Sequence, residues 1–204
     1  MLRVLGQIKK VGPASGLRVP DHIEKTVDRF ADRPMALTDE GEVSYARFEA
    51  YANRVAHWAL EQGMKPGETV ALFMSNRWEY IAVWFGLSKV GLVTSLINNQ
   101  LQGKSLAHCL TIGETRHSIV EASLAEAYLS AEACGGVEAQ AWCVDGQFAG
   151  SRDFNAALQR QSDQRPDPSV RASVKPSEPV LKMFTSGTTG LPKAALMTHV
   201  RALY

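Results

Sequence analysis

The sequence predicts an α/β fold, a mostly parallel sheet with flanking helices. Three observations carry the prediction. Helix-like and strand-like segments alternate along most of the chain, as parallel strands joined by crossovers require. Residues 69–74 read as a continuous apolar run, the pattern of a strand covered on both faces rather than one. The composition is 45% hydrophobic and 21% charged over 204 residues, that of an ordinary globular chain, which excludes disordered and fibrous classes. Such a length suits one domain or slightly more.

The elements follow in order. Residues 21–31 read as a helix, with Asp21 as N-cap after Pro20 and with Ile23, Val27 and Phe30 along one face. A strand–turn–strand comes next, Asp39-Glu40-Gly41 at its tip. The second helix opens at Ser44 and spaces Tyr45, Phe48, Ala52, Val55 and Ala59 by three or four residues, one amphipathic face ended by Gly63 and Pro66. After the 69–74 strand, residues 78–90 are apolar nearly all round, hence a buried helix, and 92–97 are again strand. Helices around 104–112 and 124–133 alternate with strands near 117–120 and 140–144, and 154–161 reads as one more short helix. Residues 162–179 change character, with four prolines, several charges and little apolar periodicity, which suggests a linker or a surface-running connection. A strand over 180–184 precedes the last segment. The expected organisation is an N-terminal extension over 1–20, an α/β region over 21–161, a linker-like connection over 162–179, and a strand, loop and following segment over 180–204.

Charge and hydropathy exclude several functions. Twenty-two basic residues against 21 acidic give a net charge of +1, with no basic block to make an electrostatic footprint for nucleic acid. The most apolar stretch, 80–88, is closed by Glu79 and Lys89, far short of the roughly 20 residues a spanning helix needs. At the N-terminus Leu2, Leu5 and Ile8 alternate with Arg3, Lys9 and Lys10, a short basic amphipathic turn suited to peripheral contact with an anionic membrane. Cys109, Cys134 and Cys143 are an odd number without C-x-x-C spacing, so each is expected to be a buried free thiol.

The chemistry is concentrated in one run, Thr185-Ser186-Gly187-Thr188-Thr189-Gly190-Leu191-Pro192-Lys193, directly after a buried strand. Glycines admit close backbone approach, while hydroxyls, freed N–H groups and a lysine donate to anionic oxygens. The run therefore reads as a polyphosphate cradle, or else as an ordinary Ser/Thr/Gly loop. It is not a Walker A loop, because Leu191 and Pro192 separate Gly190 from Lys193 and Ala194 follows. Nor is it a nucleophile elbow, since Ser186 lacks the Gly-x-Ser-x-Gly frame.

The pattern T-S-G-T-T-G-x-P-K resembles the signature of the adenylate-forming superfamily, which holds acyl-CoA synthetases, luciferases and the adenylation domains of peptide synthetases. The resemblance extends backwards through Phe73-Met74-Ser75-Asn76-Arg77 and Trp78-Glu79-Tyr80. Ile97-Asn98-Asn99-Gln100-Leu101, with Gly103-Lys104-Ser105-Leu106-Ala107-His108-Cys109, is similar to the very-long-chain acyl-CoA synthetase and fatty acid transport protein branch.

The resemblance implies specific roles. The family's ATP-contacting positions fall on Thr185, Ser186, Gly187, Thr188, Thr189 and Lys193. Thr188 and Thr189 would touch phosphate oxygens, and Lys193 would help hold the β,γ-phosphates. Gly187 and Gly190 would let the loop close over ATP and reopen as pyrophosphate leaves. ATP and Mg²⁺ are implied, with fatty acid and CoA as co-substrates. The family's Mg²⁺-binding glutamate lies in an aromatic-Gly-x-Thr-Glu segment that does not occur in these residues, and the ribose-binding aspartate and C-terminal lysine are also absent. The expectation is thus the N-terminal portion of the large domain of a fatty acid–CoA ligase, inactive alone, cytoplasmic or peripheral at the inner face of a membrane. Two other readings stay open: a fragment adenylating another acid, such as an aryl or amino acid, and a non-catalytic nucleotide-binding or interaction module.

Other conspicuous residues are expected to be structural. His22, His57, His108, His117 and His199 show no ligand spacing, and adjacent His108 and Cys109 on a helix point in different directions. His199 reads as a core or surface histidine, or as support for the loop or an acyl-binding wall. Trp58, Trp78 and Trp84 are expected in the core.

Overall fold

Parallel strands must be covered on both faces, and the chain supplies helices for each. The computed structural model describes residues 16–185 and 191–203. Its helices are α1 (Val19–Phe30), α2 (Tyr45–Glu61), α3 (Trp78–Lys89), α4 (Gly103–Ile112), α5 (Ala125–Glu132), α6 (Phe154–Gln159) and α7 (His199–Ala202). A hairpin of β1 (Pro34–Thr38) and β2 (Gly41–Ser44) stands apart. The main sheet comprises β3 (Thr69–Phe73), β4 (Val93–Leu96), β5 (Thr115–Glu121), β6 (Gln140–Val144), β7 (Arg152–Asp153), β8 (Pro179–Thr185) and β9 (Lys193–Thr198). Its order is β7-β6-β5-β3-β4-β8-β9. All neighbours are parallel except β8 and β9, which form an antiparallel hairpin at one edge.

The side-chain alternation of each strand divides the core in two. Val70, Leu72 and Met74 pack with Ile119, Trp142 and Val144 against α2, α3 and α6. Ala71 and Phe73 pack with Val120 and Ala141 against α4 and α5 on the opposite face. Trp58 is fully buried in the first layer, its ring edge-on to Trp142 and Phe154 at 5.2 and 4.9 Å. Gly86 lets α3 lie directly on α2, since a Cβ there would run into the Ala52 carbonyl and come within 2.7 Å of the Val55 Cβ. Among the described residues no helix is long and apolar enough to cross a membrane. The basic amphipathic N-terminus lies outside the described residues.

Two expectations change here. The first helix begins at Val19, so Asp21 is its third residue and not the N-cap. Its carboxylate reaches back to the Arg18 N–H at 3.1 Å and accepts from the Arg18 Nε at 2.8 Å, which is the N3-to-N-cap half of a capping box; the arginine side chain has no acceptor to complete it. Cys109 and Cys143 are buried, but Cys134 is exposed. It lies just past α5, where the chain turns through Gly135 and Gly136 at positive φ and no element covers it. The proline-rich 162–179 segment runs largely over the surface, where two arginines fasten it to α1, α2 and α3.

Arg171, only 2% exposed, donates to Glu24 at 2.6 Å, to Asp21 at 3.1 Å and to the Lys89 carbonyl at 3.2 Å. Arg165 grips both oxygens of Glu49 at 2.8 Å and Asp28 at 2.7 Å. Lys89, which in the sequence looked like the polar end of an apolar run, is fully buried between Glu24 and Glu49 at 2.7 and 3.0 Å. Burial alone would raise the Asp21 carboxyl, yet the Arg18 and Arg171 contacts hold it below its ordinary value.

His199 closes the same corner. It is 1% exposed, and its Nδ1 accepts from the Val19 N–H at 3.2 Å, tying the end of β9 to the start of α1. Accepting requires the neutral ring. Burial pushes the imidazole down to about 4, with Arg18 and Arg171 acting the same way and Asp21 and Glu178 opposing.

Three stability outcomes follow. Arg171→Ala removes the buried member of this cluster, leaves the half-buried Asp21 and Glu24 each short of a partner, and should cost about 3 kcal/mol in urea unfolding. Arg54→Ala, which breaks the exposed 3.5 Å pair with Asp163, should cost under about 1 kcal/mol. For His199, the unfolded ring binds a proton near pH 6.5 and the folded one only near about 4. Across that window the unfolded state binds more protons, so stability is lost as pH falls. His199→Asn keeps an acceptor but cannot titrate, and its unfolding free energy should fall less steeply between pH 6.5 and 4 than that of the parent. Parallel slopes would exclude this account.

Candidate functional site

In an open α/β sheet ligands bind beyond the carboxyl ends of the strands, near the point where connections diverge. Here the chain leaves β3 towards β4 on one side, while the neighbour on the other side, β5, leads on to β6. At this junction Glu121, the last residue of β5, accepts from the Ser75 N–H at 2.8 Å and hydroxyl at 2.6 Å, and from the Ser123 hydroxyl at 2.8 Å. Burial opposes its ionisation, but these donors hold the carboxyl below its usual range. With both oxygens occupied, Glu121 stitches β3 to β5.

The Thr185–Lys193 run emerges from the same end of the sheet. Thr185 closes β8, Lys193 opens β9, and the two are direct cross-strand partners. Opposed residues of an antiparallel pair present side chains on one face, with Cβ atoms about 4.5–5.5 Å apart. The root of the loop therefore brings a hydroxyl and an ammonium together, both exposed. Lysine offers only donors and a full positive charge, which suits anionic oxygens. Ser186, Gly187, Thr188, Thr189 and Gly190 lie outside the described residues.

The 97–109 segment flanks this hairpin. It is the crossover from β4, which pairs with β8, into α4. Asn98 turns the chain by accepting the Gln100 N–H at 2.9 Å. From α4, the His108 Nε2 lies 3.0 Å from the Pro192 carbonyl, a contact between residues 84 apart that no sequence pattern announces. Cys109 is buried with its thiol pushed up to about 11 by burial, so it is a packing residue and not a thiolate. His199 lies at the far end of β9 from the loop, about 20 Å along a six-residue strand. It serves the α1 corner and stands away from the loop.

A second concavity of about 1010 Å³ opens between the β1–β2 hairpin and the start of α3, lined by Leu37, Asn76, Arg77, Trp78, Ile81 and Asp145 among others. Its cation is already taken, since Arg77 is ion-paired with Glu79 and Asp145. Trp58 lies in the core as expected, whereas Trp78 is half-buried on this rim with Arg47 over its ring at 5.3 Å.

Comparisons with known proteins agree with this fold. A family model described as AMP-binding enzyme matches residues 23–204. Long-chain fatty acid transport protein 1 of Bos taurus is 32% identical over 192 residues, covering 90% of this chain and 29% of that protein. Of solved structures, the anthranilate CoA ligase AuaEII in complex with anthranoyl-AMP has a TM-score of 0.82 at 21% identity, covering 91% of this chain and 35% of that one. The N-terminal domain of FACL13 from Mycobacterium tuberculosis gives 0.77 at 23% identity, covering 89% of this chain and 44% of that one. At such identities the likeness speaks for the fold. The chain spans under a third of the length of the transport protein it matches. With nearly all of the chain, the loop run included, inside the matched span, the chain belongs to the AMP-binding enzyme family.

Proposed function

We propose that this chain is the ATP-handling, N-terminal portion of a ligase that joins a fatty acid to CoA. The supporting observation is the cross-strand pair Thr185 and Lys193, which roots a hydroxyl- and glycine-rich run at the carboxyl end of the sheet in a member of this family. In the full reaction the fatty acid carboxylate attacks the α-phosphorus of ATP, and the bond to the β-phosphate breaks to release pyrophosphate. The CoA thiol then displaces AMP from the acyl carbon, giving the thioester. Lys193 and Thr185 would hold the β,γ-phosphates, stabilising the charge that builds on the leaving pyrophosphate. Ser186, Gly187, Thr188, Thr189 and Gly190 complete the cradle in this reading.

Mg²⁺ would accompany ATP and neutralise phosphate charge. Among the described residues no three His, Cys, Asp or Glu side chains converge as a metal site, so no step is assigned to the ion through these residues. A fatty acid is favoured over an aryl or amino acid by the 97–109 segment and by the bovine relative, itself named a long-chain fatty acid transport protein. Cytoplasmic placement with peripheral membrane contact, and the reading of 21–161 and 180–204 as parts of one nucleotide-binding domain, belong to the same proposal.

Lys193→Ala removes one charge-assisted contact and should weaken ATP binding about 10- to 100-fold in calorimetric titration of the 204-residue chain. Adenosine binding should hardly change, and equal ATP affinity in parent and variant would remove the phosphate assignment. The 204-residue chain should release no pyrophosphate with fatty acid and CoA. A longer chain that carries the aromatic-Gly-x-Thr-Glu segment should exchange pyrophosphate with ATP most strongly when a long-chain fatty acid is supplied. Strongest exchange with an aryl or amino acid would favour the alternative substrate, and no exchange with any acid would favour a non-catalytic module.

A further inference from the structure

We infer that His108 is a positioning residue: by donating its Nε2–H to the Pro192 carbonyl at 3.0 Å, it fixes where β9 begins and so where Lys193 presents its ammonium. This rests on the reading of Lys193 as a phosphate contact. A carbonyl can only accept, so the Nε2 of His108 must carry the hydrogen, in the neutral ring or the imidazolium alike. Proline has no N–H, so the Pro192 carbonyl is the one polar backbone group that residue offers, immediately before the first rung of the ladder at Lys193. The end rung of a hairpin is its least restrained, and an extra tie there limits the orientations open to the next side chain.

The donor stands on a fixed support. Leu106, Ala107, Cys109 and Leu110 of α4 are buried in the second core layer. The first N–H of the helix, at Gly103, donates to the Ser130 hydroxyl at 2.9 Å. The carbonyl of Gly113, just past its end, accepts from the Lys182 Nζ of β8 at 2.9 Å. One helix thus holds both strands of the hairpin, β8 through Lys182 and the start of β9 through His108.

The test compares ATP, inorganic pyrophosphate and AMP binding to the 204-residue chain and its His108→Phe, His108→Gln and Lys193→Ala variants, with melting temperatures recorded. Phenylalanine keeps a ring without the donor; glutamine keeps an N–H at similar reach. His108→Phe should weaken ATP and pyrophosphate about 3- to 10-fold and leave AMP unchanged, whereas His108→Gln should stay within about 2-fold of the parent. Loss of AMP in step with ATP, a glutamine variant no better than phenylalanine, or unaltered ATP binding by His108→Phe would each overturn the assignment. If Lys193→Ala weakens ATP while His108→Phe does not, only the role of His108 fails. If Lys193→Ala changes nothing, the phosphate reading itself fails, and His108 with it.

Discussion

Everything in this structure depends on the need of a parallel sheet to be covered on both faces. α2, α3 and α6 take one face of the central parallel strands and α4 and α5 the other, while β9 at the edge is largely exposed. Polar chemistry is then confined to the ends. The carboxyl ends carry the free turns here, and Ser75, Asn98, Glu121, Asp145 and Thr185 all fall there. The β8–β9 hairpin sits beside β4 at the sheet's edge, its stem paired from Pro179 with Thr198 to Thr185 with Lys193.

Packing a helix on each face leaves a different problem at the corner where α1, α2 and α3 meet the proline-rich segment. Lys89 and Arg171 are buried there, and a buried charge is tolerable only with partners at hydrogen-bond distance. Glu24 serves both, Glu49 serves Lys89 and Arg165, and Asp21 serves Arg18 and Arg171. The segment that crosses from α6 to β8 is pinned by this network, which holds β8 in register beside β4. His199 adds a neutral tie from β9 to α1. The scaffold of the loop is thus anchored from both sides, by ion pairs beneath α1 and by α4 above.

Much of the fold was legible in the sequence because the signals are local. The Ser44 cap, the spacing of Phe48, Ala52, Val55 and Ala59, and the apolar 69–74 run each correspond to an observed element within a residue or two. Where the reading differed, a distant partner was responsible. Asp21 looked like a cap because its neighbours allow it; the helix starts earlier because Val19 is buried against Val180 and Leu181. Lys89 looked like a polar boundary because its acidic partners are 65 and 40 residues away. The partners of Arg165 and Arg171 within 162–179 lie far off in the chain and leave no local sign.

The sequence by itself determined the element order and the loop run, since hydrophobic period, turn residues and the Thr185–Lys193 pattern are written in consecutive positions. The tertiary structure decided which strands lie side by side, that Thr185 and Lys193 face each other across one rung, and that His108 touches Pro192. Those facts depend on strand pairing and helix docking between segments far apart in the chain, where the free energy comes from burial and contact geometry and leaves no local spacing to read.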